Sequence, residues 1–163
     1  MTLMNAPEYD SRRDNRIRNL WIGAAAVVLL LIVTAFAGFA MGHGWFYTNL
    51  PAEHKVDHFF KALEAKDYNT AYAIWMNDPE WQQHPQKFDY TLPRFTEDWT
   101  TYSPVNGPIT SHQVDISKTD GKGAFGTGII VAVRVNGNHK IFMWYEKKDG
   151  TLTYPAPHIL QYD

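Results

Sequence analysis

The sequence predicts an α+β protein: one apolar N-terminal helix, then a water-facing domain in which helices cover a single antiparallel sheet. Three observations carry this. Leu20 to Met41, LWIGAAAVVLLLIVTAFAGFAM, runs twenty-two residues without a charge. At 1.5 Å per helical residue that is about 33 Å, enough to cross the roughly 30 Å hydrocarbon core of a bilayer. From Val56 to Trp75 apolar residues recur at i, i+3, i+4 and i+7, the period of a half-buried helix. Beyond Pro108 the period falls to two, that of a strand.

In chain order, residues 1–19 are a polar tail expected to be poorly ordered, 20–41 the transmembrane helix, 42–52 a juxtamembrane aromatic linker and 53–163 the domain. Arg12, Arg13, Arg16 and Arg18 crowd the start of the span, while Gly42 to Ala52 holds no Lys or Arg. The positive-inside rule therefore puts the N-terminus in the cytoplasm and the domain outside the membrane. Trp21 at one end and Trp45, Phe46 and Tyr47 at the other are placed to sit in the headgroup layer and to serve as interaction residues. A cleavable signal peptide is the competing reading, since Ala35-Phe36-Ala37 and Gly38-Phe39-Ala40 resemble cleavage sites. The apolar run exceeds a usual signal core, so retention is expected. The span's small residues, from Gly23 to Ala26 and from Ala35 to Ala40, form no clean small-xxx-small ladder and read as lipid-facing filling.

Pro51 suits the first turn of the next helix, with Asn49 as its cap. Val56, Phe59, Phe60 and Leu63 mark its buried face; Asp67 caps another helix with Tyr68, Ala71, Tyr72 and Trp75 inward. Asn77 to Gln86 reads as loop. A third helix runs from Leu92 to Trp99, Pro93 in its first turn, burying Phe95 and Trp99 with Phe88 nearby. Ile109 to Lys118 is a strand with Val114 and Ile116 on one face, and glycines at 121, 123, 126 and 128 loosen the chain before the next strand. Ile129 to Val135 is apolar on both faces at its start and so central. Asn136-Gly137 turns it into Ile141–Glu146, and Asp149-Gly150 leads to Thr151–Tyr154.

Composition narrows function. The chain has a net charge of -2 and no cysteine. The tail takes four of fifteen basic and three of seventeen acidic residues, leaving eleven against fourteen for the rest. That balance gives no footprint for nucleic acid, and without cysteine there is no disulfide, thiolate metal site or catalytic thiol. Six Trp, nine Tyr and nine Phe serve a core of large rings, with some, Trp81 among them, free to anchor a partner.

The stretch FFKALEAKDYNTAYAIW, followed by a helix and an antiparallel sheet, resembles the cone-shaped nuclear-transport-factor-two-like superfamily. More narrowly, WQQHP, RFTEDW, the SP..GPI turn and VAVRVNG are similar to a group of uncharacterised bacterial single-pass membrane-anchored domains. The resemblance implies a cone-like domain of two to three helices on a curved sheet of about four strands, at a bacterial inner membrane. That superfamily includes ketosteroid isomerases, polyketide cyclases, dehydratases and non-enzymatic binding or assembly domains, so it does not decide activity. The β-hairpin that many members insert after the second helix is not evident here.

Enzymes of such a fold place an Asp, Glu or His inside the cone, helped by Tyr or a second His. Under that alternative the candidates are Asp57, His58, Tyr72, His84, Asp98, His112 and Tyr145. No motif around any of them demands catalysis, and each is equally served by a structural hydrogen bond. His54 and His58 have the i, i+4 spacing of metal-ligating imidazoles, with Glu53 and Asp57 beside them, but the full ligand set of a metal motif is missing. No catalytic residue, metal or cofactor is assigned. The expectation is a non-enzymatic interaction domain, an accessory or assembly subunit of a larger membrane complex, whose partners are the bilayer and membrane-protein subunits, with a homo-oligomer left open. The alternative is a membrane-tethered small-molecule binder or an isomerase- or lyase-type enzyme. A cone interior filled with rings supports the first; a cavity of about 300 Å³ or more with convergent carboxyl and imidazole groups supports the second.

Topology is directly testable. With Asn5→Cys, an impermeant thiol reagent should leave intact cells unlabelled, whereas Gly150→Cys should be labelled once any outer barrier is permeable. The reverse pattern would sink the orientation.

Overall fold

The computed structural model describes residues 11–84, 89–120 and 126–162. The first ten residues of the tail, Phe88, Gly121 and Gly123 lie outside them. Four helices are present, α1 (Ser11–Ala40), α2 (Phe46–Glu64), α3 (Tyr68–Met76) and α4 (Leu92–Thr100), with a short 3₁₀ turn at Trp81–Gln83. Four strands complete the domain, β1 (His112–Thr119), β2 (Gly128–Val135), β3 (His139–Glu146) and β4 (Leu152–Thr153), in one open antiparallel sheet of order β1-β2-β3-β4. The α+β class and the strand count agree with the expectation from sequence.

Helix α1 is long and apolar enough to cross a membrane. It also takes in the polar residues from Ser11 to Asn19, where the sequence predicts a disordered tail. Leu20 and Trp21 are each 73% exposed, an apolar surface that water would penalise along the whole helix. Its end is set by backbone chemistry. Gly42 takes φ +83, and the amides of Gly42 and His43 donate to the carbonyls of Phe39 and Gly38 at 3.3 and 2.8 Å, the paired bonds of a Schellman cap.

Two expectations fail at the start of α2. The helix begins at Phe46, so Pro51 lies inside it and forfeits the bond that the Tyr47 carbonyl would have accepted. Asn49 is no cap: it is fully buried, its amide donating to Ser117 Oγ at 3.0 Å and its carbonyl accepting from Thr119 Oγ1 at 3.2 Å. Two of the small residues at the end of α1 are not lipid-facing filling either, while Ala37 is half-buried and Ala40 exposed. Ala35 and Gly38 are buried, and a Cβ on Gly38 would stand 2.8 Å from Phe46 Cβ. That close approach brings the Tyr47 hydroxyl to Thr34 and lets it donate to the Leu31 carbonyl at 3.3 Å.

From α2 onward the periodicities hold. Val56, Phe59, Phe60 and Leu63 are at most 2% exposed. Asp67 caps α3 by accepting the Thr70 amide at 3.0 Å, and Phe95 and Trp99 are buried on α4. These side chains meet Ile129, Val131, Val133 and Val135 of β2 and Ile141 and Met143 of β3 in one core. The helices thus cover one face of the sheet. On the other face the C-terminal stretch crosses β3, with the Ala156 amide donating to the Phe142 carbonyl at 2.9 Å and the Tyr162 and Phe142 rings in edge contact.

In β1 the strand predicted from sequence lacks a bulge that the structure contains. Val114 pairs with Val133 and Ile116 with Ala132, so Asp115 is the extra residue and Val114 and Ile116 face opposite sides. Asp115 is held there by Arg134 Nε at 2.6 Å and the Tyr162 hydroxyl at 2.8 Å. Asn136 and Gly137 form the β2–β3 turn with φ +46 and +96, and the Asn136 side chain also ties down the chain before β1 through the Thr110 amide at 2.8 Å and the Pro108 carbonyl at 2.9 Å. Gly150 takes φ +74, and a Cβ there would stand 2.8 Å from Asn77 Nδ2, so the exposed Lys148 is the better outer labelling position.

The core makes a sharp contrast between neighbours. Phe60 is fully buried against Phe59 and Trp99 at ring distances of 5.2 and 5.9 Å, so Phe60→Ala should cost about 3 to 5 kcal/mol. Lys61 is 62% exposed and, among the described residues, paired with Asp57 alone, so Lys61→Ala should cost under about 1 kcal/mol. Equal melting temperatures for the two would refute this helix phase.

Candidate functional site

Beneath the helices the interior is filled with rings. Phe59 lies 5.0 to 6.1 Å from Phe60, Trp75, Phe95 and Trp99, mostly edge to face, the geometry aromatic quadrupoles favour. At the rim of this filling, Trp75, Tyr90, Asp98, Trp99, Tyr102 and Tyr154 line a cleft of about 200 Å³. It holds one carboxyl group and no imidazole, and its volume falls short of an ordinary ligand pocket of at least about 300 Å³. Asp98 accepts from the Tyr90 hydroxyl at 2.9 Å and meets Arg94 Nε at 3.2 Å. Burial, reinforced by the Asp98 carboxylate, raises the Tyr90 phenol above its ordinary range, so Tyr90 stays a neutral donor. The Tyr72 hydroxyl donates to the Tyr90 carbonyl, closing a small network that fixes the segment before α4.

Asp57 and His112 are brought together, with a third group, Glu64, that sequence reasoning did not single out. The His112 side chain is 6% exposed. Its Nδ1 lies 2.6 Å from Glu64 Oε1, its Nε2 3.1 Å from Asp57 Oδ1, and its ring stacks on Phe60 at 5.4 Å. Asp57 and Glu64 are two turns apart on one face of α2, so the imidazole of β1 is clamped between two carboxylates with a phenyl ring beneath. A neutral imidazole has one N–H and satisfies one contact; the imidazolium satisfies both. Burial works to raise the Asp57 carboxyl, but hydrogen bonds from Lys61 and His112 outweigh it and hold the group below its usual range. With both ring nitrogens engaged and the imidazole shielded from solvent, the cluster ties a helix to a sheet.

The remaining candidates are dispersed. His58 is exposed on α2. His84 is half-exposed, 3.6 Å from Asp78. Tyr145 sits in β3, half-buried against the core. His54 is exposed and Glu53 turns to His43 Nδ1 at 2.8 Å; these two and Asp57 border a cleft of about 240 Å³ with His43, while His58 lines a different one beside Lys55 and Asn77. Among the described residues no group of three or more His, Asp or Glu side chains, the clamp of Asp57, His112 and Glu64 included, is arranged to hold a metal ion. Of the interaction residues, Trp21, Trp45 and Tyr47 are exposed, Phe46 is half-buried against α1, and Trp81 packs on Tyr72 at 4.8 Å.

Two polar clusters escaped sequence reasoning. Lys55 donates from α2 to Asn77 Oδ1 at 2.6 Å and to the Gly150 carbonyl at 2.5 Å, joining the α3 cap to the β3–β4 turn. Burial lowers its ammonium to about 8, against the opposing pull of Asp149. Asn49, Ser117 and Thr119 form the other. A polar residue two turns before Val56 on the buried stripe was the available signal for Asn49; nothing local marks Lys55. Comparison with protein-family models, curated proteins and solved structures returns no match.

His112→Gln in the full chain should lower stability by about 1 to 3 kcal/mol, because two half-buried carboxylates lose a shared donor. The lowered Asp57 pKa fixes a sign: its contribution is complete above the ordinary carboxylate range and is lost as pH falls through the lowered value. Thermal unfolding in mild detergent between about pH 5 and 3 should fall less steeply for Asp57→Asn than for the wild type. Parallel curves would remove Asp57 from the clamp.

Proposed function

We propose that this protein is a single-pass membrane subunit without catalysis of its own, an accessory or assembly factor of a larger membrane-protein complex at a bacterial inner membrane, with its N-terminus in the cytoplasm and its domain outside. One observation carries the proposal: the space beneath the helices is occupied by Phe59, Phe60, Trp75, Phe95 and Trp99, while Asp57, Asp98 and His112 are engaged in structural bonds. A surface, rather than an interior, is then what the domain has to offer. The link between α1 and the sheet supports the same view, since Asn49 and Ser117 fix how the domain stands at the end of the helix. As proposed, the domain belongs with the cone-like folds of the nuclear-transport-factor-two-like kind; a helical layer on one face of an antiparallel sheet supports this.

Extraction in mild detergent followed by native mass analysis tests the proposal. His58→Gln, His84→Gln and Asp98→Asn should migrate with the same complex as the wild type, and a chain with residues 20–41 replaced by an unrelated apolar helix should be lost from it. If one of the three abolished a cellular activity while folding and assembly stayed intact, an enzyme would replace the assembly subunit, one using the rim cleft if the residue were Asp98 and a site elsewhere on the domain if it were His58 or His84.

A further inference from the structure

Beside the end of α1 lies a cleft of about 840 Å³ on the sheet face away from the helices. Phe39 and Trp45 form one wall, Ile159 and Leu160 of the C-terminal stretch the other, and Ile116 with Lys118 the floor. Its size is that of a site for a whole small molecule, and its large side chains are apolar. Several stand open: Ile159 is 75% exposed, Phe39 55% and Trp45 37%. Around a concave surface, that much bare hydrocarbon marks a binding site.

Position and charge identify the occupant. Phe36, one turn before Phe39 on the same side of α1, is 66% exposed, so bare apolar surface leads along the helix to the cleft. The cleft stands level with Gly42 to Trp45, where an apolar run ending at Met41 leaves the hydrocarbon and headgroups begin. Lys118 is the one charged residue in its lining; it is exposed and has no ion pair among the described residues. We propose that the cleft seats one acyl chain of an anionic phospholipid from the leaflet on the domain's side, with the Lys118 ammonium on the headgroup phosphate. This rests on α1 spanning the bilayer.

The test uses the full chain in nanodiscs of equal parts phosphatidylglycerol and phosphatidylcholine, then native mass analysis of lipid retained in mild detergent. The wild type should keep one phosphatidylglycerol. Ile159→Asp, which puts a charge against the chain at a position too exposed to matter for folding, should reduce retention about tenfold, and Ile159→Ser should reduce it less. Lys118→Glu should erase the headgroup preference, about fivefold for one basic residue at the surface, while retention of phosphatidylcholine persists. Equal retention by the wild type and Ile159→Asp overturns the proposal, as does a photo-crosslinker at position 159 that traps a polypeptide instead of lipid. Flotation of the wild type with vesicles is read separately. A chain that fails to float overturns the membrane span and this site together; one that floats but retains lipid equally in all variants overturns the site alone.

Discussion

Asn49 occupies the point where the two halves of this protein are joined. Its side chain has no access to water and is satisfied by Ser117 and Thr119 of β1, while its backbone amide donates to Trp45. Ser117 in turn donates to the His43 carbonyl at 3.2 Å and takes the Gly42 carbonyl on its own amide at 3.1 Å. Buried amides without partners cost on the order of 1 to 3 kcal/mol each, so this cluster tolerates one geometry. The residues that end α1, begin α2 and line β1 are therefore set by one another. Gly44 shows how tight the fit is: it takes φ +57, and a Cβ there would lie 2.5 Å from Asn49 Nδ2.

Farther from α1, cohesion changes in kind. A domain of about 110 residues has a small core, and here the helical side of it is largely ring, set against aliphatic strand residues. Large flat side chains bury much area per residue and choose specific angles, which explains why Phe59 can touch four other rings while the helices remain short. The polar clamps sit at the margins of that core. His112 ties β1 to α2, Lys55 ties α2 to the ends of α3 and β3, and Asp115 ties the C-terminal stretch to the bulge. Each bridges elements that apolar contact alone would let slide.

Much of this was legible from residue order. Val56 to Leu63, Asp67, Phe95 with Trp99, and Asn136-Gly137 all behave as local rules require, because amphipathic period, capping and turn chemistry act over a few residues. The apolar length of α1 was equally plain. What escaped was set by contacts distant in sequence. The first turn of α2 forms despite Pro51 because Phe46 and Tyr47 rest on α1, and the bulge at Asp115 depends on Arg134 and Tyr162. As for the candidate site, Asp57 and His112 could be named singly, but Glu64 could not be joined to them without knowing that β1 crosses that face of α2.

The two rims of the sheet are unequal. Strand β4 is two residues long, and on β1 the outward amide of Ser117 is already spent on Gly42. A short edge strand and an edge amide spent within the chain leave less backbone for an extended segment from another chain to continue. Recognition by strand addition, a common way for sheet domains to hold peptides, is disfavoured at these two places, and the pairing of sheets between copies meets the same obstacle there.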